Sequence, residues 1–330
     1  MIFGVDAYTH ICMLLHGFTF HRTSLTRFWS VFPLRPLAWV SRHQSPAKHV
    51  TYWHREHKSK HKLPMLFIHG IGVGLFPYTT FFNEINQGSI DNDVGIIAIE
   101  LMAISSRLTD QAYDQHILVG QIKQILDHHG WTKCLLIGHS YGTSICNHLL
   151  KSPQTASYIG PIVLIDPICF LLHLPDVAFN FTMRAPSTAQ EYVLWYFASK
   201  DIGVAHTLGR RFFWSLNILW REDLEAETQS GYRDVTVVLS ERDDIVDVRA
   251  VRRYLSRGVL EVNDTRADSL ATPLLEDPHV LAPWCGEGLE VLWMEGLHHA
   301  QSFDFHNSRK QLVDVVRKYS SKGRTSDEIP

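Results

Sequence analysis

Four short apolar runs, separated by longer amphipathic stretches, restrict this chain to a small set of folds. Met65 to Ile68, Val94 to Leu101, Cys134 to Ile137 and Ile162 to Ile165 are rich in Ile, Val and Leu, as strands buried on both faces of a parallel sheet must be. Between the second and third, Leu118, Ile122 and Ile125 recur at helical spacing, with Asp110 before them and Gly130 after. This predicts a crossover helix. Further on, Val235 to Leu239 predicts a strand, Asp247 to Arg257 a helix stopped by Gly258, and Val291 to Met294 a last strand. Leu312, Val316 and Tyr319 would form one face of a closing helix. Strand and helix alternate, so the expected class is α/β, a mostly parallel central sheet flanked by helices.

With 330 residues, 45% of them hydrophobic and 20% charged, the chain can bury a sizeable core, which excludes a disordered tail or a disulfide-stapled miniprotein. The net charge of -3 gives no global attraction to nucleic acid, so none is expected as a partner. Charge is unevenly spread. Residues 1–62 carry nine Lys or Arg against Asp6 and Glu56, a local +7 that leaves -10 for the rest. Residues 1–47 therefore read as a basic, apolar N-terminal extension. Asp6, His10 and His16 interrupt its first apolar run, so it does not reach the roughly 18 to 20 apolar residues of a membrane span. Two readings remain: peripheral contact with a membrane surface through Trp, Phe and Arg side chains, or packing on the domain as an extra helix or two. Cys12, Cys134, Cys146, Cys169 and Cys285 are odd in number and lack ligand spacing. Free thiols in a reducing, intracellular and cytoplasmic setting are the expectation.

The chemistry enters at Gly138, His139, Ser140, Tyr141 and Gly142. A GxSxG that follows a buried strand and opens a helix forces its serine onto a tight turn where only small flanking residues avoid a clash. Ser140 is thus the candidate nucleophile. Upstream, His69, Gly70, Ile71 and Gly72 end the first strand. Acyl transfer needs two preorganised N–H donors for an oxyanion, and the amides of Ile71 and Tyr141 are the candidates. A serine also needs a general base and a group to orient it. After the last predicted strand come His298 and His299, either of which could be the base, with Gly296 favouring His299. After the strand at 235–239 come Asp243, the chosen acid, and Asp244, its neighbour and alternative. Asp166, behind the preceding strand, is a third acid expected to shape its loop. An unperturbed histidine base predicts activity rising near about pH 6.5.

Glycine-rich loop, serine, acid and histidine occur in that order, each at the carboxyl end of a predicted strand, and over about residues 49–320 this resembles the α/β-hydrolase superfamily. The resemblance implies Ser140 as nucleophile, Asp243 as acid, His299 as base and the Ile71 and Tyr141 amides as oxyanion hole. It divides the chain into the extension at 1–47, a first core part at 48–168, a helical lid at 169–231 and a second core part at 232–330. The finer pattern of Tyr52, Trp53, His54, Ile71 to Gly74 and Phe212 to Trp214 is similar to a fungal branch of the superfamily, partly found beside natural-product genes. One departure is Asp247, where many relatives carry proline after the acid loop.

A serine nucleophile favours an acyl-enzyme, hence a carboxylic ester, thioester or lactone. The segment 169–231 is enriched in aromatics, and Phe170, Phe179, Phe181, Trp195, Phe212, Phe213 and Trp214 could line an apolar acyl pocket or form the lid's own core. An apolar small-molecule substrate is expected. The alternatives are a ligand receptor that kept the fold without turnover, or an acyltransferase of small-molecule biosynthesis. His54, His57 and His61 resemble a metal cluster but lack acidic or thiolate partners, and read as a solvated linker. No metal and no cofactor is expected.

Overall fold

The computed structural model describes residues 2–87, 94–225, 227–228, 231–261 and 284–322. Among these residues, eleven strands fall in chain order at Thr19–Arg22 (β1), His43–Gln44 (β2), Thr51–Arg55 (β3), Met65–Ile68 (β4), Ile96–Glu100 (β5), Cys134–His139 (β6), Ile159–Ile165 (β7), Glu227–Thr228 (β8), Gly231–Tyr232 (β9), Val235–Ser240 (β10) and Leu289–Met294 (β11). Nine of them make one sheet in the order β11-β10-β7-β6-β4-β5-β3-β1-β2, and β8 pairs with β9 separately. All pairings from β11 to β5 are parallel. Only β3 runs antiparallel to its neighbours β5 and β1. The mostly parallel sheet expected from the apolar runs is present, with every predicted strand in it.

The larger helices are Ile2–Leu15 (α1), Pro36–Val40 (α2), Thr79–Ile85 (α3), Gln115–His128 (α4) and Gly142–Lys151 (α5). Short helices follow at Asp176–Ala178, Ala189–Leu194, Ile202–Arg210, Trp214–Asn217 and Arg221–Leu224 (α6 to α10), then Val248–Glu261 (α11) and His306–Ser321 (α12). The strands alternate faces, as a period of two requires. Leu66 and Ile68 join the apolar layer that holds α4, α5 and α11. Met65 and Phe67 join the layer that holds α1, α3 and α12. Gly130 (φ +67) ends α4 in a left-handed turn in which the Trp131 amide reaches back to the Leu126 carbonyl at 3.0 Å, closing orphan carbonyls of the last turn. Gly258 does not end α11, which continues to Glu261. A mid-helix glycine costs about 1 kcal/mol, less than the burial of Val248, Val251 and Leu255 on the sheet returns, at about 1.5–3 kcal/mol per side chain.

Residues 2–44 add β1 and β2 to the sheet edge and pack α1 through Met13 into the core. A buried ion network fastens them. Arg35 bonds Glu100 with both terminal nitrogens, at 2.7 and 2.9 Å, and Asp6 through Nε at 3.0 Å. Arg107 bonds the same Asp6 oxygen at 2.7 Å. Burial would raise the Glu100 carboxyl, but the Arg35 guanidinium and the Thr51 hydroxyl outweigh it and hold it at about 2. Several apolar residues of the segment remain exposed, including Ile11, Leu15, Trp29 and Val40. Among the described residues, no helix is long and apolar enough to cross a membrane.

The histidines read as a solvated linker separate in the structure, because β3 carries the first of them into the sheet. His54 stacks on His129 with ring centroids 3.8 Å apart. His57 Nδ1 accepts the Gly95 amide at 3.0 Å, and a side chain at Gly95 would collide with it. His61 alone of the three is exposed. Burial lowers His21 and His54 to about 4 and His129 to about 3, with neighbouring imidazoles adding to the effect.

Candidate active site

The turn after β6 is compressed. Ser140 has φ 51, a left-handed value that a side chain rarely adopts, and its amide is held by the Ile165 carbonyl at 2.9 Å. Glycines make room for it. A Cβ at Gly142 would lie 2.3 Å from the Ile68 carbonyl oxygen, and one at Gly138 would lie 2.5 Å from Cys146 Sγ. The two glycines of the motif are therefore steric requirements of packing α5 against β4 and β6. Gly70 is limited in the same way by Ser140 Cβ, 2.8 Å from where its own Cβ would fall.

Ser140 Oγ lies 2.8 Å from His299 Nε2, and His299 Nδ1 lies 2.7 Å from Asp243 Oδ2. The three residues come from loops after β6, β10 and β11, at the carboxyl end of the sheet. Asp243 is fixed from behind, its Oδ1 accepting the amides of Ile245 at 2.8 Å and Val246 at 2.9 Å. Those two N–H bonds turn the other oxygen toward the imidazole. The neighbouring alternatives pair with each other: His298 Nδ1 lies 3.0 Å from Asp244 Oδ2. His298→Ala is expected to change kcat/KM for an ester by less than about tenfold, under about 1.4 kcal/mol, in steady-state kinetics.

Burial alone would lower His299, but the Asp243 carboxylate, by charge and hydrogen bond, with Asp166 and Asp244 behind it, raises the imidazole to about 9. A base at this position would give a rise in activity on the alkaline side and not near the unperturbed histidine value.

Asp166 shapes its surroundings, as expected, and reaches further. It is fully buried with φ 44. Its Oδ1 accepts the Ser240 amide at 3.1 Å and its Oδ2 the Ala300 amide at 2.8 Å. One carboxylate therefore ties the end of β10 to the residue after His299. Ala300 itself has φ 69, so three non-glycine residues at or beside the site hold a costly backbone conformation. Asp166, Asp243 and His299 each place a ligand-type atom within 4.8 Å of the others, yet the hydrogen bonds above already occupy them.

Two histidines whose roles the sequence left open support the loops. The Leu101 amide donates to His69 Nε2 at 2.8 Å, so that nitrogen carries the lone pair and Nδ1 donates to the Gly70 carbonyl at 2.6 Å. Burial holds His69 at about 4, hence neutral, and its single tautomer clamps the glycine loop to the end of β5. His139 Nδ1 lies 2.7 Å from the Tyr78 hydroxyl, which also accepts the Gly70 amide at 3.3 Å. The signal was their place inside the two motifs; their partners are not visible in sequence. The amides of Ile71 and Tyr141 find no acceptor among the described residues.

Beside the elbow lies a cavity of about 430 Å³, lined in part by Leu101, Met102, Tyr141, Ile145, Phe213 and Leu216. Ser140 does not line it; Tyr141, the next residue, does. Phe179, Trp195, Phe213 and Trp214 are exposed and do not form a core within 169–231. Phe170 is buried in the sheet's own apolar layer, and Phe181 and Phe212 pack on it.

Residues 65–315 match the family model described as "Alpha/beta hydrolase family". No curated protein sequence matches the chain. Similar solved structures include a membrane phospholipase A described as a bacterial virulence factor, at 14% identity and TM-score 0.54, covering 95% of this chain and 91% of the other. An esterase from Rhodococcus sp. ECU1013 aligns at 16% identity and TM-score 0.51, covering 83% and 96%. A 2-hydroxy-6-oxo-6-phenylhexa-2,4-dienoate hydrolase from Rhodococcus sp. strain RHA1 aligns at 12% identity and TM-score 0.50, covering 83% and 96%. At these identities the likeness is one of fold.

Proposed function

This chain belongs to the alpha/beta hydrolase family, and on that premise we propose that it is a serine hydrolase cleaving a carboxylic ester, thioester or lactone of an apolar small molecule. The observation that carries the reading is the continuous hydrogen-bonded relay from Ser140 Oγ through His299 to Asp243, at 2.8 and 2.7 Å. In the proposed reaction Ser140 Oγ attacks the carbonyl carbon while His299 Nε2 takes its proton. The Ile71 and Tyr141 amides receive the oxyanion. Collapse expels the alcohol or thiol with the proton from His299 and leaves the acyl-enzyme. Water, deprotonated by the same imidazole, releases the acid. Asp243 keeps Nδ1 protonated and the ring oriented throughout.

The apolar residues of the adjacent cavity, Leu101, Met102, Ile145 and Leu216 among them, support an apolar acyl or alcohol group. Its volume of about 430 Å³ suits a small-molecule ligand. A series of p-nitrophenyl esters of increasing acyl length tests this. The wild type is expected to favour medium or long chains. Leu216→Trp, at a half-exposed position on the cavity wall, is expected to cut kcat/KM for long esters at least about tenfold, roughly the value of one or two methylenes in an apolar pocket, and to spare the acetate. Equal losses at all lengths would remove the cavity from the substrate path. A folded wild type inert to every ester and to phosphonate would favour the receptor reading.

A further inference from the structure

Toward the β2 edge of the sheet, three imidazoles from distant parts of the chain converge. His21 lies on β1, His54 on β3 and His129 just past the end of α4. One ligand nitrogen of each lies within 4.8 Å of the other two. Register brings the first two together: His21 pairs with Tyr52, and Tyr52 and His54 share a face of β3. The end of α4 lays His129 over that face. Four strand steps separate β6 from β1 in the sheet, about 19 Å at the usual spacing, so this cluster is not part of the Ser140 site.

We propose that His21, His54 and His129 bind a divalent transition metal of the zinc type, which ties the N-terminal strand to the hydrolase core. Three imidazole nitrogens without thiolate or carboxylate select zinc, nickel or copper over calcium or magnesium. The Tyr52 hydroxyl supplies the outer shell that such ligands need. It lies 3.0 Å from His21 Nδ1 and 2.9 Å from His129 Nε2, and so fixes the orientation of both rings. Metal–nitrogen bonds of about 2.0–2.1 Å in tetrahedral geometry bring the nitrogens to roughly 3.3 Å of each other. Binding therefore draws nitrogens that lie within 4.8 Å of one another closer by up to about 1.5 Å and shifts the His54 ring out of its present stack on His129. His54 and His129 are both partly exposed, so solvent can complete the coordination.

The structural role follows from connectivity. A metal held by His21 and His129 cross-links residues 108 positions apart and pins β1, whose sheet neighbours among the described residues are β3 and the two-residue β2. The N-terminal segment is also held by the Asp6, Arg35 and Arg107 network and by Met13, Phe18 and Phe20 in the apolar layer.

The test uses the full-length protein, freed of metal with a chelator and titrated with ZnCl₂ by calorimetry, with thermal unfolding followed in parallel. One zinc per chain is expected in the wild type, in Ser140→Ala and in His61→Ala, which changes an exposed histidine outside the cluster. His54→Ala and His129→Ala should each bind at least about 100-fold more weakly, beyond the loss of an outer-shell partner. Tyr52→Phe should weaken binding by about 10- to 100-fold. Zinc should raise the unfolding temperature of the wild type and not of the two histidine variants. The proposal is overturned by wild type that takes up no zinc, or by His54→Ala and His129→Ala binding it as tightly as His61→Ala. If an alanine variant does not fold, His54→Gln carries the same expectation. Retained zinc with failed ester hydrolysis would sink the proposed activity and leave this site standing.

Discussion

Replacing Ser140 with alanine is expected to lower kcat for ester hydrolysis by at least about 10⁴-fold with little change in unfolding temperature. The chemistry demands the first outcome, because among the described residues no other hydroxyl is bonded to the base. The second follows from the backbone. Alanine and serine pay the same penalty at φ 51, and the turn is set by Gly138, Gly142 and the amide bond to Ile165, none of which the substitution touches. His299→Ala should fall to a similar level, and the double variant little further, because serine and base act as one unit. Losses that multiply would show that the two residues work independently.

The second large effect is expected from Asp243→Asn. In the wild type His299 is raised to about 9 although burial opposes it, and Asp243 supplies the leading upward push. The base works as neutral imidazole, so kcat/KM should climb with pH toward about 9 and level off above it. The same sign governs stability. Protonated His299 stabilises the fold fully below the unfolded histidine value of about 6.5, and this contribution is lost as pH rises through about 9. With asparagine that charge is gone while burial still lowers the imidazole and Asp166 and Asp244 still raise it, so the rising limb should move to lower pH. The rate should drop by about 10⁴-fold through loss of the correct tautomer. A wild-type limb near neutrality, or a limb unmoved in the variant, would contradict the assigned coupling.

The parallel core was legible because strands buried on both faces must be apolar throughout, as Met65 to Ile68 and Ile162 to Ile165 are. The serine turn was legible because its glycines answer to local clashes that sequence spacing already implies. The hydrogen-bond partners that the structure brings to Ser140 were legible only to within a neighbour. Asp243 and Asp244 look alike in one dimension. What separates them is that the Ile245 and Val246 amides capture one and His298 the other. The sheet edge was hidden because β1 and β2 are four and two residues long and carry His, Arg and Gln. Their pairing depends on contacts such as Arg35 with Glu100, 65 positions away. Gly258 misled because a stop signal in sequence gives way when a helix face has a sheet to bury against.

Labelling with a fluorophosphonate, followed by peptide mapping, tests the central claim most directly, since it reports a serine activated by its neighbours in the folded chain. The account predicts one label per chain, on the peptide containing Ser140, lost in Ser140→Ala and strongly slowed in His299→Ala. A label that persists in Ser140→Ala, or that maps to another serine, would contradict it.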